Sequence, residues 1–570
     1  MEKFSLNWKI GGEAGEGIMV TGLIFSKACA SLGYEVFNYA EYPSRIRGGH
    51  NCYQVKIQDK KPITAEYGID ILVALNKETI ELHLNEMNSN GIIIFDSAIK
   101  DFDLNIPGLY PVPLEELAIK AGGKITKNNV AIGVCAGLID MPYEALERAV
   151  KKAFKDKGEH VQKINIEAIK EGYYFAKNTQ PDFFKIKMTN NTYAKKYVIT
   201  GNEAIALGAV KAGLKLYAAY PMTPASSILH FLSPLERKYR IIVKHTEDEI
   251  AAILTAIGSS FAGIRSMAAT SGGGFSLMTE ALGMASITET PLVIVECMRP
   301  GPSTGMPTWT EQGDLRFVMH ASQGDFIRVI LTPGDVSEAY QLIQLAFNLA
   351  EKYQIPVILL SDKFLSESSE SVDNLTQYDL PKERGKRLKD VPENFKRYDL
   401  SIEDGISWRA FPPSPNGMQL ANSDEHDEYG LVTEEKDLRI AMVEKRMKRL
   451  ESIKKEIPKP KIYGETDAEV SLIGFGSVKN PILRAMEYIK HENIKVNFLH
   501  CICPHPFVKE HYIDFVNNAK RLICIENNYF GQFASILQEN LLIEIKEKLL
   551  KFDGRPFFPH EIVEYIKRRI

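Results

Sequence analysis

Lys215–Phe231 reads "KLYAAYPMTPASSILHF". An apolar run closes at Tyr220, two prolines bracket Thr223, and a helical pattern resumes at once. That is a strand, a turn and a helix, with a hydroxyl at the mouth of the strand. Thr223 before Pro224 is a sound N-cap with proline at N1, so helix capping is the plainest use of the hydroxyl.

The same rhythm runs outward from this stretch, beginning near Tyr197. "NEAIALGAVKAG" precedes "KLYAAY", "PASSILHFL" leads to "RIIVKH", and "EDEIAAILTAIGSSFAG" leads to "RSMAAT". Glycines and "FSLMTEALGMASI" then lead to "PLVIVECM". Alternation of this kind predicts a parallel sheet with right-handed crossovers. Ligands of such sheets bind beyond the carboxyl ends of the strands. Three stretches fall there: "YPMTP", "HTEDE" and "MRPGPSTGMPTW".

Two charged side chains stand out at those ends. Glu247 and Asp248 read as ordinary acidic residues of a helix first turn. Glu249 abuts the apolar run "IAAILTAIG", so it is placed to enter a closed pocket, where desolvation favours its protonated form. Arg299 follows "IVEC" and Met298 at another strand end, where a guanidinium can clamp a carboxylate.

The chain of 570 residues exceeds one hydrophobic core, and two to four domains are expected. Its net charge of −4 gives no sign of nucleic acid or an acidic membrane as a partner. No apolar run reaches the length of a membrane span, and "MEKFSLNWKIGGEAGEG" lacks the layout of a signal peptide, so a cytoplasmic protein is expected. The seven cysteines contain no C-x-x-C, which argues against an iron–sulfur or structural zinc set, and no metal ligands are assigned. Cys501 and Cys503 in "FLHCICPHPF" read as structural thiols on one strand face.

Residues 1–190 open with "WKIGGEAGEGIMVTGLIFSKACASLGYEVFNY", a βαβ start whose glycines suit either tight packing or a pyrophosphate-type ligand. Their spacing matches neither G-x-G-x-x-G nor a P-loop. Residues 197–366 carry the parallel sheet described above. Residues 367–465 are charged and proline-rich, an irregular linker with one helix in "DLRIAMVEKRMKRLESIKKE", whose basic face is expected in solvent. His426 in "DEHDEYG" reads as an exposed loop residue. Residues 466–570 form a third α/β domain, from "AEVSLIGFGS" through "VNFLHCIC" and "RLICIENN".

The combination of motifs resembles the 2-oxoacid:ferredoxin oxidoreductases. The matching stretches are "GNEAIALGAVKAG", "YPMTPASSI", "EDEIAA", "TSGGGFSLMTEALGMASITETPLVIVE" and "GPSTGMPTWTEQGDL", then "ENNYFGQFASIL" and "GRPFFPHEI" near the C-terminus. The front domain, through "GGEAGEGIMVTG" and "EYPSRIRGGHN", resembles the family's separate gamma subunit. The whole chain is similar to a fused gamma–alpha subunit of the 2-oxoglutarate type. The resemblance implies three α/β domains, among them a thiamine-diphosphate pyrimidine-binding domain and a transketolase C-terminal-like domain. It implies CoA-dependent oxidative decarboxylation of a 2-oxoacid, with ferredoxin as electron acceptor.

By position in "EDEIAA", Glu249 matches the glutamate that hydrogen-bonds N1′ of the aminopyrimidine. Tyr220, Pro221, Gly272 and Gly273 are carried over as cofactor neighbours, Thr223 as facing the oxoacid, and Arg299 as holding its carboxylate. By the resemblance, Trp309 stands where relatives acting on 2-oxoglutarate often carry lysine or arginine. An indole supplies no charge for a second carboxylate, which puts 2-oxoglutarate in doubt and leaves room for an apolar, aromatic or small 2-oxoacid; interface packing is the alternative use of Trp309. Arg45 and Arg47 are candidates for coenzyme A phosphates or for structural roles. The G-D-G stretch that introduces a diphosphate-binding metal site is missing from the sequence. The resemblance therefore implies a separate beta subunit bringing Mg2+, the diphosphate site and a [4Fe-4S] cluster, in a dimer of heterodimers. The rival expectations are a self-contained carboligase or transketolase-like enzyme, and a non-catalytic assembly subunit.

Overall fold

Apolar runs that alternate with helices build three sheets, described in a computed structural model for residues 4–44, 48–99, 105–189 and 194–570. The chain divides into two units: Met1–Thr200 with Ser368–Asn374 and Phe558–Ile570, and Gly201–Glu367 with Leu375–Phe557.

The sheet of the first unit runs Leu109–Val112, Met87–Asp96, Ile69–Ala74, Ser5–Glu13, His50–Gln58, Glu35–Glu41, Ser369–Val372, Tyr197–Thr200. Its first four strands are parallel, and the remaining pairings are antiparallel. Trp8 and Phe25 meet in its core with ring centroids 4.9 Å apart. The strand Ser369–Val372 lies inside the stretch read as linker; four residues reading "SESV" are too short and too polar to show a period. The helix Pro559–Lys567 also belongs to this unit.

In the second unit six strands run Val329–Leu331, Pro356–Asp362, Leu292–Met298, Ser266–Thr270, Leu216–Ala219, Ile242–His245, with every neighbouring pair parallel. The chain leaves Leu216–Ala219 for the edge strand Ile242–His245, then crosses back to Ser266–Thr270. This reversal opens a crevice at the carboxyl ends. A five-stranded sheet follows, ordered Lys461–Gly464, Val496–Cys501, Val470–Phe475, Leu522–Glu526, Glu547–Leu550. Phe275, Ile330 and Ile358 share one core with Phe475, Leu499 and Phe533, so the two sheets of this unit are packed as one body.

Two readings of the linker are corrected. The helix Lys436–Glu456 does not keep all its basic residues in water: Lys445 and Arg449 are buried, 2.6 and 3.5 Å from the buried carboxylate of Glu289. Pairing is what makes that burial tolerable. His426 is fully buried, its ring nitrogens 2.9 and 3.1 Å from the carbonyls of Asp427 and Ile287. All seven cysteines are free and buried. No helix among the described residues is long and apolar enough to cross a membrane.

Candidate active site

Four strand ends of the parallel sheet lead into Tyr220, Pro221 and Thr223, Glu249, Gly272 and Gly273, and Arg299. Glu249 is the first residue of the helix Glu249–Phe261, started by Asp248, whose carboxylate accepts the Ala251 N–H at 2.7 Å. The cap fixes the first turn and aims Glu249 inward. Its side chain is buried, at 3 % exposure, and Oε1 has no hydrogen-bond partner. Burial pushes its carboxyl above the usual range, with Asp248 adding to the effect and the backbone N–H opposing it.

Gly274 explains how that carboxyl fits. A Cβ at this position would lie 2.4 Å from Glu249 Oε1 and 2.0 Å from Thr270 Oγ1. The helix Gly272–Ile287 therefore approaches Glu249 by presenting hydrogen rather than methyl.

Arg299 leaves the end of Leu292–Met298 and donates from Nη1 to the carbonyl of Thr223 at 2.8 Å. Thr223 does not cap the next helix. That helix is Ser226–Leu232, with Ala225 at its N-cap and no side-chain cap, and the Thr223–Pro224 peptide is cis. Sequence spacing alone placed the helix start too early. Tyr220 is 40 % exposed, at the rim, its ring centroid 6.2 Å from that of His245.

Arg299, Gly272, Gly273, Ser276, Asp314 and Phe317 line a cleft of about 270 Å3. Gly272 is shaped for Asp314, since a Cβ there would fall 2.4 Å from Asp314 Oδ2; Gly273 faces open space. The first N–H groups of this helix favour negative charge beside them. Glu249, Thr223, Tyr220, Pro221 and Trp309 are not among the residues lining this cleft.

Sequence reading missed two acids here. Glu296 is fully buried within the strand Leu292–Met298, and burial, then Asp314 and Asp362, hold it well above its usual pKa against the pull of Arg299. Asp314 is pushed to about 6 by burial, with Arg299 opposing. The legible signal was a carboxylate inside the otherwise apolar "PLVIVECM".

The loop bearing Trp309 and Asp314 is clamped. Thr310 N–H donates to Gly554 O at 3.1 Å, Gln312 N–H to Asn527 O at 2.7 Å, and Gln312 Nε2 to Phe475 O at 2.9 Å. Arg555 lies over Trp309, its guanidinium carbon 3.3 Å from the ring centroid. Arg45 and Arg47 lie outside the described residues.

Comparison with known proteins follows the same division of the chain. A family model described as "Pyruvate ferredoxin/flavodoxin oxidoreductase" matches residues 7–175. Another, "Pyruvate flavodoxin/ferredoxin oxidoreductase, thiamine diP-bdg", matches residues 207–445. The 2-oxoacid:ferredoxin oxidoreductase subunit alpha of Saccharolobus solfataricus is 33% identical over 99% of this chain and 97% of its own length. The 2-oxoglutarate oxidoreductase subunit KorA of Mycobacterium tuberculosis is 28% identical over 98% and 90%. A solved 2-oxoglutarate:ferredoxin oxidoreductase from Magnetococcus marinus, with 2-oxoglutarate, coenzyme A and succinyl-CoA bound, superposes with a TM-score of 0.92 at 32% identity, covering 100% of both chains. Full-length similarity to oxidoreductase subunits favours that reading over a self-contained carboligase or a non-catalytic assembly subunit. The chain belongs to the family of 2-oxoacid:ferredoxin oxidoreductase alpha subunits.

Proposed function

We propose that this chain holds the aminopyrimidine of thiamine diphosphate at Glu249 and the carboxylate of a 2-oxoacid at Arg299. One observation carries the reading: a buried carboxyl oxygen without a partner, at the carboxyl edge of a parallel sheet, facing a glycine that leaves it room. These features suit a ring nitrogen that needs a proton-bearing neighbour, so the residues present fit the cofactor's pyrimidine end.

Thiamine diphosphate, when bound, supplies the centre that lets a 2-oxoacid lose carbon dioxide. Burial favours the proton-bearing form of the Glu249 carboxyl, which suits it to share a proton with the ring nitrogen. Arg299 presents a planar fork to the substrate carboxylate, oriented by its bond to the Thr223 carbonyl. Thr223 lies beside that fork and faces the oxoacid. Tyr220, Pro221, Gly272 and Gly273 frame the cofactor. The clamped segment around Gln312 keeps Asp314 and Trp309 in place. Overall, a 2-oxoacid and coenzyme A give acyl-CoA and carbon dioxide, and two electrons pass to ferredoxin; the reverse carboxylation uses the same groups.

The diphosphate, its Mg2+ and the [4Fe-4S] cluster belong in this reading to a beta subunit, in a dimer of heterodimers. Its docking face is the site's rim, where Tyr220, Ile250, Leu254 and Leu277 are exposed by 40 to 51 %.

For the substrate, Arg555 over Trp309 returns the positive charge that the indole lacks. The test is dye reduction by the chain co-expressed with a beta subunit, across a panel of 2-oxoacids with coenzyme A. Oxidation of 2-oxoglutarate that Arg555→Gln abolishes, with monocarboxylates unaffected, supports the assignment. Failure to oxidise any 2-oxoacid overturns the function itself.

A further inference from the structure

His50 and Cys52 stand two apart on the strand His50–Gln58 and leave the same sheet face. The helix Lys77–His83 ends by bringing a second imidazole to that face. One donor atom from each of His50, Cys52 and His83 lies within 4.8 Å of the other two. The Nε2 atoms of the two histidines are 2.8 Å apart, so one ring donates to the other.

Three surrounding features shape this cluster for a metal ion. His83 Nδ1 is 2.8 Å from Glu86 Oε1, and donation there leaves its Nε2 as a bare lone pair aimed at the cluster. Carboxylate-oriented imidazoles of this kind are the usual outer shell of metal centres. Lys9 pairs with Glu86, which balances that carboxylate's charge. His50 Nδ1 is buried without a partner, so the ring can change tautomer and release its Nε2 as a second ligand.

Gly11 faces Cys52 across the paired strand, and a Cβ there would fall 2.7 Å from His50 Cε1 and 2.7 Å from Thr79 Cγ2. Only glycine leaves the imidazole its place. Cys52 and His83 are buried, while His50 is only partly buried and opens the cluster to the surface.

We propose that His50, Cys52 and His83 form a three-ligand site for a zinc-class divalent ion, with the fourth position open and Glu86 orienting His83. Two imidazoles and a thiol suit zinc and disfavour magnesium or calcium, which prefer oxygen. Binding removes the Cys52 thiol proton to solvent and moves the His50 proton from Nε2 to Nδ1. It also parts the two Nε2 atoms to about 3.3 Å, the spacing of tetrahedral bonds of about 2.0 Å. The positions 50, 52 and 83 match no linear metal motif, which hid the cluster from sequence reading.

The test loads the purified full-length chain with one equivalent of Zn2+ and reads X-ray absorption at the zinc edge. The expected spectrum has one sulfur at about 2.3 Å and nitrogen at about 2.0 Å. Cys52→Ser loses the sulfur shell, and Glu86→Gln weakens zinc binding about tenfold to a hundredfold against a chromophoric chelator. His50→Gln, at the least buried of the three positions, is the variant least disturbing to folding, and it must weaken zinc binding as well. Zinc held no better than by the chelator, a sulfur shell that survives Cys52→Ser, or unchanged affinity in His50→Gln overturns the proposal.

Discussion

Glu249→Gln replaces a carboxyl by an amide of the same shape. Oε1 has no partner to lose, and the side chain stays inside its glycine-walled space, so the fold is expected to hold. What disappears is the ability to hold and give up a proton. Such groups contribute about a hundredfold to ten-thousandfold in rate, so turnover of the reconstituted complex falls at least about a hundredfold, or about 2.7 kcal/mol of barrier. Thiamine diphosphate remains bound.

Stability moves the other way, and its sign follows from the raised pKa. The folded state keeps the Glu249 proton at pH values where the unfolded chain has released it, so this residue lowers stability as pH rises above the ordinary carboxyl range. The variant therefore melts with wild type in acid and above it near neutrality. Dye-reduction rates and melting curves across pH read both effects. Near-normal oxidation of every tested 2-oxoacid by a fully loaded Glu249→Gln complex refutes the reasoning.

Other substitutions test neighbouring contacts. Gly274→Ala drives a methyl into Glu249 and Thr270; overpacking costs about 1–3 kcal/mol in melting experiments, and a carboxyl displaced by about an ångström costs about a hundredfold in turnover. Arg299→Lys exchanges a fork for a point charge, which raises KM for the oxoacid about tenfold to a hundredfold while thiamine diphosphate affinity is unchanged. Asp314, held at about 6, gains its charge beside Arg299 as pH rises and competes with the substrate carboxylate. KM for the oxoacid therefore climbs through that pH, and Asp314→Asn flattens the climb; a profile that keeps its slope in the variant assigns it to another group.

The strand rhythm of the second unit was legible because each apolar run is short and each helix follows at once, so "KLYAAY", "RIIVKH", "RSMAAT" and "PLVIVECM" all occur as parallel strands. The placement of Glu249 and Arg299 at the sheet's carboxyl edge was legible for the same reason, since each follows one of these strands. Gly274 was not, since its meaning is a distance to a carboxyl 25 positions away and not a local pattern. Asp314 was hidden because its partners, Arg299 and Glu296, meet it only after the loop is clamped to the last sheet. His426 misled because charged neighbours in "DEHDEYG" imitate a surface loop, while its ring packs against Tyr398 with centroids 4.0 Å apart.

A direct reading of the cofactor's tautomer decides the matter. Near-ultraviolet circular dichroism of the loaded complex distinguishes the amino form of the pyrimidine from the imino form that a proton-sharing carboxyl at N1′ favours. The wild-type complex is predicted to show the imino signature, and the Glu249→Gln complex, at equal thiamine diphosphate occupancy, to lose it. An undiminished imino signal in that variant would contradict the role given to Glu249.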